Sequence, residues 1–404
     1  AQAAVRGNLQ AYHRERRKMK KAVMIGAGQI GRGFIGMLVE QAGYHVVFAD
    51  INMDVINDIN TRHEYTVHLM DTVCVETTVK NISAINSLDP ALVDEYAGCE
   101  LILTSVGLTA LPKVAPTIAK GIAKRMSDGV TDCMNVIACE NAIRGSSVLR
   151  AEVEKHLSAE EKAYMEQYVG FPDCAVDRII PPTNTPLAAE VFVERYHEWD
   201  VERGGFKGEV PVIAGMEIVD DLTAYLERKL FTLNGPNAVT ACYGWLKGYE
   251  TINESLADPE IYDEVLGMME ECGAMLVKRH GFTPEAMERY RMSLMQRFVN
   301  PYIIDKCVRV AREPVRKLSP SDRITAPMNH ARGYGIATPH YYTGIALVLL
   351  YDNPADEQSK EIQKLIAELG VKGAYEKISG VKADSFAAGE IEKEYIRLKE
   401  KYGI

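Results

Sequence analysis

KAVMIGAGQIGRGFIGMLVEQAGYHVVFAD, residues 21–50, is the stretch on which the fold turns. It reads as a short apolar strand, a glycine-rich turn, an apolar-faced helix and a second strand that closes on an acid, the order of a βαβ unit. Gly26, Gly28 and Gly31 stand in the spacing G-x-G-x-x-G, with Gln29 and Ile30 between the last two. Glycines so placed allow a tight turn, close approach of the backbone to a pyrophosphate and close helix–strand contact, with the helix N-terminus facing the anion. Asp50 follows Gly31 by 19 residues. An acid at the end of the second strand accepts from both ribose hydroxyls and repels a 2′-phosphate, so the expected cofactor is NAD rather than NADP. Arg32, just inside the helix, is open to two readings, a phosphate contact or a solvated first-turn residue.

Outward from this stretch the α/β alternation continues. ELILTSVG (residues 100–107) and VIACEN (residues 136–141) read as further strands that end in small or polar residues. Ligands of open parallel sheets sit outside the carboxyl ends of the strands. Val106, Gly107 and Glu140 are therefore candidates for the nicotinamide ribose, and Asn141 for the substrate, a turn or helix cap being the alternative at Asn141. Residues 149–168 have helical spacing and are expected as one surface helix. GFPDCAVDRIIPPTNTP follows, and its Asp177-Arg178 dipeptide has a surface ion pair as its usual fate. Past Lys207-Gly208 the strand signals fade and long helical patterns take over, among them residues 260–281, where Ile261, Val265, Leu266, Met269 and Met275 share a core-facing stripe. The expected fold class is α/β, an N-terminal Rossmann-type dinucleotide-binding domain (19–209) followed by a mainly α-helical C-terminal domain (210–404). Residues 1–18 are set aside as a leader or extension before a natural start at Met19.

The chain has 404 residues, 47% hydrophobic and 25% charged, enough for two domains with real cores. A net charge of −10 argues against nucleic-acid partners, and no run approaches the roughly twenty apolar residues of a membrane span. Eight cysteines without a C-x-x-C pair suggest neither a zinc knuckle nor a disulfide framework, which points to a reducing, cytoplasmic setting. No histidine or carboxylate pattern suggests a metal site. Any hydride chemistry is then expected to rest on an amino-acid base.

RKLFTLNGPNA, residues 228–238, offers one. Lys229, Asn234 and Asn237 are polar exceptions among apolar residues. A lysine drawn out of water loses part of its preference for the charged form and can accept a proton. Asn234 could donate to a developing oxyanion. Taken alone, the stretch also fits a snorkelling lysine and capping asparagines at Gly235-Pro236. Basic residues downstream (Lys317, Arg323, Arg332) are candidates for an anionic group, with a solvated helix face as the alternative. His330 and His340 flank a polar turn before an apolar helix.

Together, GAGQIGRGFIG with FADIN, VIACEN, GFPDCAVDRI and ERKLFTLN resemble the polyol-specific long-chain dehydrogenases, and the first and last are most similar to the mannitol-1-phosphate 5-dehydrogenase branch. The likeness extends through RFVNPYIIDKCVRVAREPVRKLSPSDR and YGIATPH. It implies NAD and a small polyol or sugar phosphate in a cleft between the two domains, and no metal; the oligomeric state is not readable from the sequence, and a monomer or homodimer is expected. It also implies that Lys229 takes the hydroxyl proton as hydride leaves, that Asn234 polarises the C–O bond, and that Asn141 and Asp177 line the substrate pocket; Arg323, Arg332 and His340, read from the chain itself, are further candidates for substrate contact. Where the family pattern has a histidine, this chain has Asn237, which can donate a hydrogen bond but cannot take up a proton. Two other readings stay open: a hexuronate reductase or free-polyol dehydrogenase of the same family, and a non-catalytic NAD-binding regulator.

Overall fold

The computed structural model describes residues 20–71, 73–142, 144–180, 185 and 187–404. The expectation for residues 1–18 falls outside them. Two compact units part between Leu222 and Thr223 rather than at 209/210. The reason is a late strand, Glu217–Val219, that pairs with Glu198–Glu202 and so keeps the chain in the first unit.

The first unit is built on a six-stranded parallel sheet. Its strands are β1 (Lys21–Ile25), β2 (His45–Asp50), β5 (Ile82–Asn86), β6 (Leu101–Thr104), β7 (Met134–Ala138) and β8 (Val169–Gly170), in the order β5-β2-β1-β6-β7-β8. The order reverses between β1 and β6, which creates the crevice at which doubly wound sheets bind ligands. Period-2 alternation sends Ala22 and Met24 into one core layer with Phe34, Phe48 and Trp199, and Val23 and Ile25 into the other with Ile102, Ile118 and Val136. Both faces are buried, as near-continuous apolar strands require. Two three-stranded sheets complete the unit: β3 (Tyr65–Met70) between β4 (Val75–Val79) and β10 (Val191–Glu194), and β11 (Glu198–Glu202) between β9 (Cys174–Asp177) and β12 (Glu217–Val219). The single helix expected over 149–168 is two, α5 (Gly145–Glu154) and α6 (Ala159–Tyr168). Ser158 restarts the second with a capping box to Glu161.

The other helices used below, in chain order, are α1 (Met37–Gln41), α2 (Met53–Arg62), α3 (Leu92–Ala97), α4 (Leu111–Ser127), α7 (Leu222–Arg228), α8 (Gly235–Lys247), α9 (Ile252–Leu256), α10 (Pro259–His280), α11 (Pro284–Phe298), α12 (Cys307–Ala311), α13 (Pro314–Lys317), α14 (Thr325–Gly333), α15 (Pro339–Leu350), α16 (Glu357–Ser379) and α17 (Phe386–Tyr402). The second unit is helical throughout its described elements. Its centre is α15, with every residue from Tyr341 to Leu350 buried, packed on α8, α10 and α17. The apolar stripe expected over 260–281 is α10. Asp258 accepts from Glu260 N–H at its start and Gly281 ends it at φ 74°. Among the described residues no helix is long and apolar enough to cross a membrane, and no three His, Cys, Asp or Glu side chains are grouped to hold a metal ion.

Candidate active site

In the first unit the glycine-rich turn has the geometry its spacing predicts. Gly26 sits at φ 92° directly after β1, a conformation that disfavours any side chain, and its N–H donates to the Ala49 carbonyl at 2.8 Å. A Cβ on Gly31 would collide with the Gly26 carbonyl oxygen, whereas nothing lies within 4 Å of one on Gly28. Gly28 and Gln29 are exposed, and Ile30 is half-buried against the core. The helix is entered at Gln29 and Ile30, widens into a π-helical turn over Gly31–Gly36, and continues as α1.

Asp50 closes β2 and anchors this turn. Its Oδ2 accepts from Ala27 N–H at 2.6 Å and its Oδ1 from Asn52 N–H at 2.9 Å. Each carboxylate oxygen keeps a further lone pair for a hydroxyl donor. A cavity of about 480 Å³ opens here, lined by Gly26, Gly28, Asp50 and Val106. Its remaining lining includes Ile51, Ser87, Leu88, Lys113 and Thr117, none of which the sequence singled out. Ile51 and Leu88 are 72% and 81% exposed, apolar surface of the kind that covers an aromatic base. An NAD adenosine and pyrophosphate fit these residues. Gly28 leaves open space, Asp50 offers acceptors, and the flanks are apolar.

Two of the residues expected at the cofactor, Arg32 and Glu140, are engaged by partners within the protein. Arg32 is neither solvated nor turned toward a phosphate. It is buried, donates through Nε to the Ala189 carbonyl at 2.9 Å and through Nη2 to Ala188 at 3.2 Å, and also bonds the Ala27 carbonyl. Burial lowers its pKa, and the three carbonyls accept hydrogen bonds from its N–H groups. Arg32 thus ties the glycine turn to residues 188–189. Glu140 is also buried. It accepts from Thr104 Oγ1 (2.7 Å), Val106 N–H (2.9 Å) and Gly107 N–H (2.9 Å), so it holds the loop after β6. Val106 then lines the cavity and Gly107 turns at φ 87°.

Asn141 lies exposed past the end of β7, and Asp177 is half-buried at the end of β9. Arg178 is not in a surface ion pair. It is buried, donates to the Glu194 and Gly33 carbonyls at 2.8 and 3.0 Å, and desolvation brings its pKa down to about 10. Asp173, a residue the sequence left unremarked, holds the start of α5 beside Asn141 by accepting from Ser147 N–H and Oγ at 2.9 and 2.6 Å.

In the second unit Lys229 and Asn234 are the first and last residues of a π-helical turn between α7 and α8. In an α-helix, residues five apart lie about 140° around the axis. A turn closed by i→i+5 bonds, as from Gly235 N–H to the Leu230 carbonyl, brings them back toward one face. Pro236 explains the widening: it lacks an N–H and would clash with the Thr232 carbonyl in continuous α-helix. Phe231, Thr232 and Leu233 are buried, whereas Lys229, Asn234 and Asn237 are half-buried. The Oδ1 of Asn237 is shielded from solvent and has no hydrogen-bond donor. A Cβ on Gly235 would collide with the Arg323 carbonyl oxygen, so the backbone at Arg323 packs directly on this turn.

The Arg323 side chain is half-buried and donates from Nε to Asp322 at 2.6 Å. Arg332 is half-buried near the end of α14. His340 is fastened at the start of α15, its imidazole Nδ1 3.1 Å from Glu264 Oε1 and its N–H donating to Glu271 at 2.9 Å. The Glu264 hydrogen bond raises the His340 pKa. Burial raises Glu271 to about 7 in spite of its two backbone donors, His340 N–H and Tyr341 N–H. Lys317 is a buried interior residue, its ammonium on the Arg312 carbonyl and its pKa lowered to about 8 by desolvation. That removes it from the exposed anion-binding surface expected of this region.

Residues 20–215 match the mannitol dehydrogenase Rossmann domain and residues 221–395 the mannitol dehydrogenase C-terminal domain. Among solved structures, the chain is similar to Pseudomonas fluorescens mannitol 2-dehydrogenase in ternary complex with NAD and D-mannitol, at 19% identity over 95% of this chain and 92% of that one, with a TM-score of 0.66. It is likewise similar to a D-sorbitol dehydrogenase in substrate-free form, at 16% identity over 95% and 93% of the two chains, with a TM-score of 0.76. At these identities the solved structures speak for the fold, and the two family models, which together span nearly the whole described chain, establish that it belongs to the mannitol dehydrogenase family.

Proposed function

We propose that this member of the mannitol dehydrogenase family is an NAD-dependent, metal-independent oxidoreductase that interconverts a sugar alcohol and its ketose, with Lys229 as general base. The best single candidate pair is mannitol 1-phosphate and fructose 6-phosphate. The observation that carries the reading is the π-helical turn, which returns Lys229 and Asn234 toward one face when α-helical geometry would separate them.

Bound NAD supplies the hydride acceptor. Lys229 accepts the proton of the reacting hydroxyl, a contribution of about 10²–10⁴ in rate for positioned acid–base groups. Asn234 donates to the same oxygen as its charge develops. Asn237 has a solvent-shielded amide oxygen without a donor, so it is suited to accept from a second substrate hydroxyl. An acceptor role, where a carboxamide could also donate, suits a polyol, whose neighbouring carbons all carry hydroxyls. Asn141 and Asp177 extend the polyol contacts, and Arg323, Arg332 and His340 are the groups we assign to its anionic end.

The test is NADH oxidation, followed by absorbance, with fructose 6-phosphate, fructose and keto-uronates side by side. Turnover with fructose 6-phosphate alone supports the phosphate branch. Turnover only with a free ketose or a keto-uronate would replace the substrate with that of a sister enzyme. Lys229→Ala should remove turnover while NADH still binds; a Lys229→Ala protein as fast as wild type would refute the base.

A further inference from the structure

Consecutive residues of a helix leave its axis about 100° apart, so holding two of them sets the angle from which the next side chain starts. Glu227 and Arg228, the residues before Lys229, are both held, and on different supports. The Glu227 carboxylate accepts from Arg279 Nε and Nη2 at 2.6 and 2.9 Å, and its Oε2 lies 2.6 Å from His280 Nε2. The Arg228 guanidinium lies among three aromatic rings, with its carbon 4.4 Å from the Tyr290 centroid, 4.6 Å from Tyr225 and 5.7 Å from Phe282. Tyr225 and Phe282 pack edge to face at 5.5 Å, which keeps two walls of that cage upright. Arg279 and His280 end α10, Phe282 follows, and Tyr290 lies in α11, so one helical corner grips both residues.

A π-turn is a departure from regular helix that persists where its surroundings hold it. At its far end the turn abuts the Arg323 carbonyl through Gly235. At its near end the grip is Glu227 and Arg228. We propose that Arg228, seconded by Glu227, is a positioning residue that sets the direction of the Lys229 side chain for proton transfer; this rests on Lys229 being the base. The chemistry requires arginine. A planar guanidinium stacks on several rings at once, whereas an ammonium is a compact, strongly hydrated point charge.

The experiment uses NADH and fructose 6-phosphate, with fructose in parallel, on wild type, Arg228→Met, Lys229→Ala and the double variant. Tyr290→Leu removes one ring of the cage and leaves the arginine in place. Thermal unfolding and NADH binding by fluorescence report folding separately from turnover. Arg228→Met should lower kcat about 10–100-fold, the cost of displacing a reacting group by about 1 Å, with NADH affinity unchanged. Tyr290→Leu should act in the same direction but less. Methylamine is added to the Lys229→Ala proteins to raise their residual rate. In that background Arg228→Met should add nothing, because a freely diffusing amine needs no tether. If Arg228→Met slows the rescued Lys229→Ala protein by the factor seen in wild type, or leaves kcat of the wild-type protein unchanged, the positioning role is wrong. A Lys229→Ala protein with undiminished kcat would instead overturn the base, and this role with it.

Discussion

Lys229 and Asn234 begin and end one π-helical turn, and a Cβ on Gly235, which closes it, would come within 2.4 Å of the Arg323 carbonyl oxygen. The turn that orients the candidate base is therefore seated on a specific backbone segment of its own unit.

Gly235→Ala should show how much that seating matters. The added methyl forces the two backbones apart, and overpacking of this kind costs about 1–3 kcal/mol. We expect a lower midpoint in urea or thermal unfolding together with a lower kcat, since the turn and the segment at Arg323 must separate. An unchanged midpoint would mean the contact is slack.

Asn237→Leu separates stability from binding. The buried amide oxygen has no donor, so an apolar side chain of similar size should leave unfolding free energy within about 1 kcal/mol of wild type or raise it. If that oxygen accepts a substrate hydroxyl, the polyol KM should rise about 5–10-fold, as the loss of a hydrogen bond worth about 1 kcal/mol implies. NADH affinity serves as the control. Large destabilisation with unchanged KM would contradict both parts.

Asp50→Ser tests nucleotide choice. The carboxylate is held by Ala27 N–H and Asn52 N–H and faces the cavity beside Gly26 and Gly28. Removing it should raise the KM for NAD about tenfold or more, in line with hydrogen bonds to a charged group. It should also narrow the gap to NADP, because the repulsion of a 2′-phosphate is gone. Steady-state kinetics with both nucleotides give the answer, and a preference ratio unchanged from wild type would count against the assignment.

Acid stability should depend on Glu260. Burial works to raise its pKa but is outweighed by hydrogen bonds from Lys401, Tyr243 and Lys247, which bring it from 4.5 to about 2. A carboxylate with a depressed folded-state pKa stabilises above the unfolded value, and that contribution is lost as pH falls through 4.5 toward 2. The Tm difference between wild type and Glu260→Gln should be full at pH 6 and shrink steadily below pH 4.5. A difference constant from pH 6 to pH 3 would exclude the linkage. The same carboxylate joins Tyr402 of the last helix to Tyr243 of α8, so C-terminal truncation before Lys401 should also lower Tm.

Gly26, Gly28, Gly31 and Asp50 were legible because their constraints are local: a positive φ, a close backbone approach and a fixed spacing are written into neighbouring residues. Arg32, Glu140 and Arg178 could not be read in the same way. Each finds its partners across the fold, Arg32 on a carbonyl 157 positions away and Arg178 on one 145 away, so no window of sequence contains both halves of the interaction. Ser87, Lys113 and Thr117 were missed for a related reason, since the sheet order and not the chain order brings them to the β1–β6 crevice.

By itself the sequence determined the fold class and the glycine-rich turn and nominated Lys229 as a candidate base, because strand and helix periodicity, glycine spacing and residue chemistry are properties of short segments. Tertiary structure alone decided where those side chains lie and what they touch. A period near 3.6 does not distinguish an α-turn from the π-turn that brings Lys229 and Asn234 toward one face. The boundary at Leu222/Thr223 was set by a three-residue strand finding a partner in space. Burial, which turned Arg32, Arg178 and Lys317 from surface cations into interior clamps, exists only once the chain has closed over them.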